Sequence, residues 1–82
     1  MALTRQEVSD KIIAIVADVL KIDPKTITPE TSLSSLGADS LDLMELFMKI
    51  EEAFEITIPE EALTHIDTVQ QAADAIMSIS NN

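Results

Sequence analysis

The chain has 82 residues, with 15 Asp and Glu against five Lys and Arg, so its formal net charge at pH 7 is −10. This charge argues against nucleic acid or an anionic membrane surface as the ligand, because phosphate groups would be repelled. Apolar residues make up 46% of the chain, which is too many for a disordered acidic tail. The length predicts one small domain over residues 1–82, with little room for a buried catalytic cleft.

Further classes are excluded by what the sequence lacks. It contains no cysteine, so a disulfide framework, a thiolate metal site and a cysteine nucleophile are ruled out. No apolar run approaches the roughly 20 residues that span a bilayer, so we expect no membrane insertion. The N-terminal segment carries charges at Arg5, Glu7 and Asp10, unlike a signal peptide. We therefore expect a small acidic protein of the cytoplasm.

The acidic charge is concentrated in one segment. Residues 39–61 contain eight acids and one base, Lys49, which gives a net charge of −8 + 1 = −7. Charged helix faces that keep a small protein in solution would explain this concentration. A docking surface for basic partners would explain it too, because such a field raises association rates. The charge alone does not distinguish the two interpretations.

The first helix is predicted to begin at Thr4, because Thr4 and Glu7 have the spacing of a capping box. Apolar residues then recur at the spacing of an amphipathic helix; they are Val8, Ile12, Ile15, Val16 and Val19. Pro24 and Pro29 end this helix and open a long loop over about residues 22–38. Apolar residues should pin that loop to the core, namely Ile22, Ile27, Leu33 and Leu36.

Three more helices follow in the prediction. The second covers about residues 39–54, and a short third covers about residues 59–66. Pro59 is a favoured first helical residue, and Asp67 has Gln70 three positions later, which favours the start of a last helix at Asp67. The predicted fold class is all-α: a small bundle of three main helices and one short helix, with the long loop between the first and second helices.

The second helix has two apolar faces. One is an ordinary core stripe, made of Leu43, Leu46, Phe47, Ile50 and Phe54. The other lies among Glu45, Glu51 and Glu52 and consists of Leu41, Met44 and Met48. An exposed apolar strip with an acidic rim is typical of an interaction site, and unbranched methionine suits a surface that repacks against several partners. The alternative is that Met44 and Met48 pack under the loop.

The segment before the second helix is open to two interpretations. Gly37 should adopt a positive φ there, and Asp39 or Ser40 can cap the helix. A catalytic role for Ser40 would need a base, and the single histidine, His65, would have to reach it across the bundle. The surrounding residues are not Gly-x-Ser-x-Gly, so a hydrolase is not expected. Carboxylate pairs suggest loose binding of divalent cations at most, and we expect no metal site.

The run Leu-Gly-Ala-Asp-Ser-Leu-Asp at residues 36–42 resembles the hallmark of acyl carrier proteins. The likeness covers most of the chain, and it is to the small stand-alone (type II) carriers of bacteria and organelles. It continues through residues 44–46, 50–54, 58–61 and 66–70. The resemblance implies that Ser40 is esterified by 4′-phosphopantetheine, which a phosphopantetheinyl transferase takes from coenzyme A.

The resemblance also implies a function. The protein would be a non-catalytic, monomeric carrier that holds growing acyl chains as thioesters and presents them to basic-surfaced enzymes of fatty acid biosynthesis. A dedicated carrier for a specialised lipid, polyketide or aminoacyl pathway is one alternative. An acidic helical adaptor without a prosthetic group is a more distant one. By analogy, the partner-binding residues are Asp39, Leu41, Met44, Glu45, Met48, Glu51 and Glu52.

The resemblance implies that the acyl chain is sheltered inside the bundle, and it assigns four residues to that role. An ordinary core is an equally good interpretation of each of them. They are Leu46, Ile50, Leu63 and Ile66. Two positions depart from the family pattern. Lys49 stands where a small neutral residue is common, and Phe47 is bulkier than the usual β-branched residue.

Overall fold

The computed structural model describes residues 4–80, and its regular secondary structure is helical. The α-helices are α1 (Arg5–Leu20), α2 (Ser40–Phe54), α3 (Glu60–Leu63) and α4 (Val69–Ser80). Two short 3₁₀ helices, Pro24–Thr26 and Ser34–Leu36, lie between α1 and α2. The predicted all-α class, with three longer helices and one short helix, is confirmed.

The first helix begins with the capping box that the sequence predicts. The Glu7 backbone N–H donates to Thr4 Oγ1, and the Thr4 N–H donates to Glu7 Oε1, both over 3.1 Å. Hydrogen bonding from the Thr4 backbone, and to a lesser degree from its side chain, lowers the pKa of Glu7 below its ordinary value. Lys21 caps the end of the helix: it has a left-handed backbone with φ of 57° and donates its N–H to the Ala17 carbonyl.

The core is built around α1, which packs against both α2 and α4. Val8, Ile12 and Val16 of α1 have at most 1% of their surface exposed. Ile15 and Val19, which the spacing grouped with them, are only partly buried. The fully buried partners from α2 and α4 are Leu46, Ile50, Val69, Ala73 and Ile76. Close packing of these side chains on α1 fixes the orientation of α2.

Apolar side chains hold the long loop against this core, as predicted. Ile27 and Leu33 are 5% and 1% exposed, and Ile22 and Leu36 are partly buried. Hydrophobic spacing does not predict the two 3₁₀ helices of the loop, because such short turns depend on local hydrogen bonds.

A short antiparallel contact joins the loop to the residues before α4. The Leu33 N–H donates to the Asp67 carbonyl over 2.6 Å, and Ser32 forms an isolated antiparallel bridge with Thr68. Because the contact links segments more than 30 residues apart, it closes the loop onto the C-terminal half of the chain. We call it the loop clasp, and it consists of residues 29–34 and 67–70.

The side chain of Asp67 completes the loop clasp. Its two carboxylate oxygens accept hydrogen bonds from Ser32 Oγ over 2.7 Å and from Ser34 Oγ over 3.1 Å. The bond from Ser32, followed by the bond from Ser34, lowers the pKa of Asp67 from its ordinary value of 3.8. The ionised carboxylate is therefore the form that the clasp favours.

The predicted start of α4 at Asp67 is wrong. Thr68 caps the helix instead: the Gln71 N–H donates to Thr68 Oγ1 over 3.1 Å, and the Thr68 N–H donates to Gln71 Oε1 over 3.0 Å. The physical reason is that the Asp67 carboxylate accepts hydrogen bonds from the loop serines and therefore does not cap the helix. A capping rule based on local spacing does not include that long-range contact.

The short helix α3 is also smaller than predicted. Pro59 lies just outside it with an extended backbone (ψ of 147°), and the helix covers Glu60–Leu63 rather than continuing to Ile66. The Pro59 carbonyl accepts hydrogen bonds from the Ala62 and Leu63 N–H groups. Pro59 therefore starts the helix from the flanking position.

The loop clasp predicts a pH-dependent stability. Because the folded pKa of Asp67 is lowered, its contribution is fully present above pH 3.8 and is lost as the pH falls through the lowered value. We expect Asp67→Ala to lower the Tm at pH 7 and the difference from the wild type to shrink below about pH 4. Thermal unfolding followed by circular dichroism from pH 7 to pH 2.5 measures both effects.

The matched control is Asp18→Ala, which removes an exposed carboxylate from α1. Its effect on the Tm should be the smaller of the two at pH 7. An Asp67→Ala difference that stays constant across the pH range would contradict a role for the ionised carboxylate.

Candidate functional site

The candidate site is the turn that leads into α2. Gly37 has a φ of 87°, the left-handed value expected from the sequence, and a Cβ placed on it would meet no atom within 4 Å. The requirement for glycine is therefore one of backbone conformation and not of space. This turn brings Asp39 to the position that caps α2.

Asp39, and not Ser40, caps the helix. The Asp42 N–H donates to Asp39 Oδ1 over 2.9 Å, and the Asp39 N–H donates to Asp42 Oδ2 over 3.3 Å. This reciprocal pair is a capping box with aspartate in both positions. It leaves Ser40 as the first residue of the helix, without a capping role.

The Ser40 side chain is exposed. It lies at the end of α2 where backbone N–H groups lack intrahelical acceptors and the helix dipole is positive. A negatively charged group esterified to this hydroxyl would be stabilised there. His65 is also exposed and follows α3, so neither residue lies in a cleft that excludes water. The arrangement suits a modified serine better than a catalytic one.

An exposed apolar strip extends from Ser40 along α2. Leu41, Met44 and Met48 have 74%, 62% and 60% of their surface exposed. The alternative that Met44 and Met48 pack under the loop is therefore wrong. We call these three residues the α2 strip. A strip of this kind on an acidic helix can dock into an apolar pocket of another protein.

The glutamates beside the α2 strip are not equivalent. Glu45 and Glu52 are exposed, whereas Glu51 is half-buried. Glu51 Oε2 accepts a hydrogen bond from the Ile58 backbone N–H over 2.7 Å. The sequence pattern predicts Glu51 as a surface acid and gives no sign of this bond. No motif spacing connects a helical glutamate with an amide seven residues later in an irregular segment.

A second feature that the sequence pattern does not predict lies between α1 and α2. Lys11 and Lys49 both line an open groove there. Lys11 Nζ stands 5.3 Å from the centre of the Phe54 ring, within the range of a cation–π contact. The other residues of the groove are Ala14, Ile15, Asp18, Glu52 and Ala53. Lys49, which departs from the family pattern, thus belongs to a mixed-charge surface that α2 shares with α1.

The four candidate acyl-pocket residues belong to the core or pack against it. Leu46 and Ile50 have none of their surface exposed, and Leu63 and Ile66 are partly buried. Fully buried side chains are already close-packed, so an acyl chain could reach Leu46 and Ile50 only if neighbouring residues moved.

The described residues form neither a metal site nor a membrane-spanning helix. Across residues 4–80, His, Asp and Glu side chains do not form a group of three that could hold a metal ion. The same part of the chain contains no helix that is both long and apolar enough to cross a bilayer.

Known proteins are similar to this chain in sequence and fold. A family model described as a phosphopantetheine attachment site matches residues 10–76. An acyl carrier protein of Rubrobacter xylanophilus is 46% identical over 76 residues, covering 92% of this chain and 94% of the relative. One from Cyanidioschyzon merolae is 42% identical over 85 residues, covering 98% and 93%. The solved structure of the acyl carrier protein from Enterococcus faecalis matches with a TM-score of 0.77 and 32% identity, covering 94% of this chain and 99% of that one.

The cap of α2 can be tested by two substitutions at one position. We expect Asp39→Ala to lower the free energy of unfolding by about 1 kcal/mol, because the Asp42 N–H loses its acceptor. Asp39→Asn keeps an acceptor and should cost only a few tenths of that, about 0.3 kcal/mol. Urea denaturation measures both values. Equal losses in the two variants would contradict the capping role.

Proposed function

This chain belongs to the acyl carrier proteins and carries acyl chains on 4′-phosphopantetheine, and we propose that Ser40 is the residue that bears this group. The observation that carries the proposal is the exposed Ser40 hydroxyl at the start of α2, after Gly37 and the Asp39 cap. The bound group supplies a terminal thiol for thioester formation, and the chain itself has no cysteine.

The residues around Ser40 fit a phosphate ester. The positive end of α2 favours its charge, and the capping box keeps the Asp39 carboxylate on the Asp42 backbone N–H. We propose that the protein does not itself catalyse the attachment. A phosphopantetheinyl transferase would use coenzyme A as donor and the Ser40 hydroxyl as acceptor. This explains why no base needs to stand beside Ser40.

The α2 strip is proposed as the docking surface for that transferase and for acyl-processing enzymes with basic surfaces. Its three apolar residues are more than half exposed, and Glu45 and Glu52 beside them are exposed as well. An apolar centre with an acidic rim fits partners that are steered by charge and held by a small apolar contact. Asp39 and Glu51 complete the proposed partner-binding set.

The pathway we propose is fatty acid biosynthesis in the cytoplasm, with residues 1–82 acting as one monomeric carrier domain. Growing acyl chains would shelter beside Leu46, Ile50, Leu63 and Ile66. The second candidate is a dedicated carrier for another lipid, polyketide or aminoacyl pathway. It is supported by the two departures from the family pattern, Phe47, which is 8% exposed, and Lys49 in the α1–α2 groove. Analysis of the acyl chains on protein isolated from its own cells distinguishes the two.

The attachment site is tested by intact-mass spectrometry. Incubation with a phosphopantetheinyl transferase, coenzyme A and Mg²⁺ should add one phosphopantetheine mass to the wild type and none to Ser40→Ala. Ser78→Ala, which removes an exposed serine from α4, should be modified like the wild type. A wild type that gains no mass would support the adaptor alternative. A mass gain retained in Ser40→Ala would move the site elsewhere.

The docking surface is tested by reversing one charge. We expect Glu45→Lys to raise the KM of the transferase by roughly threefold to tenfold, because a rim charge contributes about 0.2–1 kcal/mol and reversal adds repulsion. The kcat should change little. At about 1 M salt the difference should disappear, since the Debye length falls to about 3 Å.

The control for this experiment is Glu30→Lys, which makes the same change in net charge at an exposed position of the loop. An equal rise of KM in both variants would mean that overall charge, and not the rim of the α2 strip, controls docking.

A further inference from the structure

Asp67 is connected to the turn that precedes Ser40, although α2 and α3 separate the two residues in the sequence. Its carboxylate accepts hydrogen bonds from Ser32 and Ser34 in the loop clasp, and Ser34 begins the 3₁₀ helix that leads to Gly37. We propose that Asp67 is a positioning residue for the modification of Ser40, because the loop clasp fixes the turn that presents the Ser40 hydroxyl. The inference rests on the proposed function, in which Ser40 bears 4′-phosphopantetheine.

The first turn of α2 has little support from the core. Ser40 and Leu41 are exposed, and the first side chain of α2 that is fully buried is Leu46. The capping box of Asp39 and Asp42 closes the helix end, but both of its residues belong to the same turn. It therefore stabilises the helical conformation without fastening this end of α2 to the rest of the molecule. That task is left to the segment before Asp39.

This segment contains a 3₁₀ helix that has no local side-chain cap. In the first 3₁₀ helix of the loop, the Asp23 side chain accepts a backbone N–H over 2.9 Å. The second, Ser34–Leu36, follows Leu33, whose side chain has no polar atom with which to cap it. Its polar anchor is instead Asp67, 33 residues later, which accepts from Ser34 Oγ over 3.1 Å. Short 3₁₀ helices have poor internal hydrogen-bond geometry and depend on such additional contacts.

Hydrogen bonds continue from the Asp67 carboxylate into the turn by two routes. Ser34 donates its hydroxyl to Asp67, and its carbonyl accepts the Gly37 N–H over 3.2 Å. Ser32 donates its hydroxyl to Asp67 over 2.7 Å, and its carbonyl accepts the Ser35 hydroxyl over 2.7 Å and the Ser35 N–H over 3.1 Å. Each serine therefore joins Asp67, through its side chain, to the 3₁₀ helix, through its backbone.

The side chain of Asp67 acts on the turn and not on the whole loop. Backbone hydrogen bonds of the clasp, from Leu33 N–H to the Asp67 carbonyl and from Gln70 N–H to the Pro29 carbonyl, hold the loop as far as Leu33. These bonds do not need the carboxylate. Beyond Leu33, the contact of the clasp is the one between Ser34 and Asp67. Removing the carboxylate should therefore loosen the turn and leave the earlier part of the loop in place.

The chemistry of the modification does not involve Asp67. The Ser40 oxygen forms a bond to the phosphorus that carries pantetheine in coenzyme A, and the bond from that phosphorus to the bridging pyrophosphate oxygen breaks. The nucleotide leaves with the bridging oxygen, and the hydroxyl proton passes to a base of the transferase. Asp67 acts earlier, through Ser34, on the conformation in which Ser40 is recognised.

A loosened turn affects binding more than the chemical step. If the turn has several conformations, only a fraction of the molecules presents Ser40 correctly, and the apparent affinity of the transferase falls by that fraction. A turn that is ordered in advance avoids this loss. The clasp should therefore lower the KM of the transferase for this chain and leave the kcat unchanged.

The first experiment measures the turn in the free protein, at a temperature at which every variant is folded by circular dichroism. Amide hydrogen exchange followed by NMR should be about fivefold faster at Gly37 in Asp67→Ala than in the wild type. Ser34→Ala, which removes a single hydroxyl, should also accelerate Gly37. The internal control is the Ile27 N–H of the first 3₁₀ helix, which donates to the Pro24 carbonyl over 3.1 Å and should not change.

Two results of this experiment would overturn the proposal. One is equal exchange at Gly37 in the wild type and in both variants. The other is equal acceleration at Gly37 and Ile27, which would mean that the whole loop loosens. Because Ser34→Ala removes less than Asp67→Ala, it decides the question even if Asp67→Ala does not fold.

The second experiment measures modification by a phosphopantetheinyl transferase with coenzyme A and Mg²⁺. Asp67→Ala should raise the KM for this chain about threefold and change the kcat by less than about twofold. Asp67→Asn keeps one acceptor oxygen and should lie between Asp67→Ala and the wild type. The control is Asp74→Ala, which makes the same change in net charge and breaks the ion pair between Arg5 and Asp74, away from the turn. Its KM should equal that of the wild type.

A double variant tests whether Asp67 acts through Ser34. Because Asp67→Ala already removes the bond to Ser34, adding Ser34→Ala should not raise the KM further. Additive effects of the two substitutions on the KM would contradict the proposed route. An equal rise of the KM in Asp67→Ala and Asp74→Ala, or a fall of the kcat alone, would also overturn it.

The outcomes separate this inference from the proposed function. If the wild type and Asp67→Ala are modified at Ser40 with the same KM, Asp67 is not a positioning residue and the carrier function stands. If the wild type is not modified at all, the carrier function and this inference fail together. Exchange at Gly37 would then still show whether Asp67 orders the turn.

Discussion

The structure depends on the burial of one stripe of α1 beneath two helices. Val8, Ile12 and Val16 are almost completely buried, and α2 and α4 both pack closely on that helix. A helix that packs against a single neighbouring helix, as α2 does against α1, buries only one of its own faces. Because α2 has two apolar faces, its second face stays in solvent as the α2 strip. The exposure of the proposed docking surface is therefore a consequence of how the core is built.

Outside the core, hydrogen bonds of carboxylate side chains hold the loop and the turns in place. The turn before α2 is held by the Asp39 and Asp42 box, the start of α3 by Glu51, and the loop by Asp67. Each of these carboxylates has backbone or hydroxyl donors from the same chain. Such bonds contribute less than a packed core and respond to pH and to competing charges. The acidic residues thus provide both the negative surface charge and the hydrogen bonds that hold the loop and the turns.

The contrast between a packed core and hydrogen-bonded connecting segments suits the carrier function. The firm part, α1 with α2 and α4, keeps the proposed attachment residue Ser40 and the α2 strip in a fixed relation. The less firmly packed part, around α3, is the part that could move to admit or release an acyl chain. The proposed docking surface and the proposed acyl shelter therefore involve separate elements of the chain.

The sequence by itself determined the local features: the capping box at Thr4, the positive φ of Gly37, the two faces of α2 and the motif around Ser40. Each depends on residues within about one or two helical turns, so spacing and residue type suffice. Only the tertiary structure decided that Asp67 serves the loop instead of capping α4, and that Glu51 holds Ile58 instead of standing free. Those two carboxylates bond to groups that folding brings near, and local spacing contains no information about such partners.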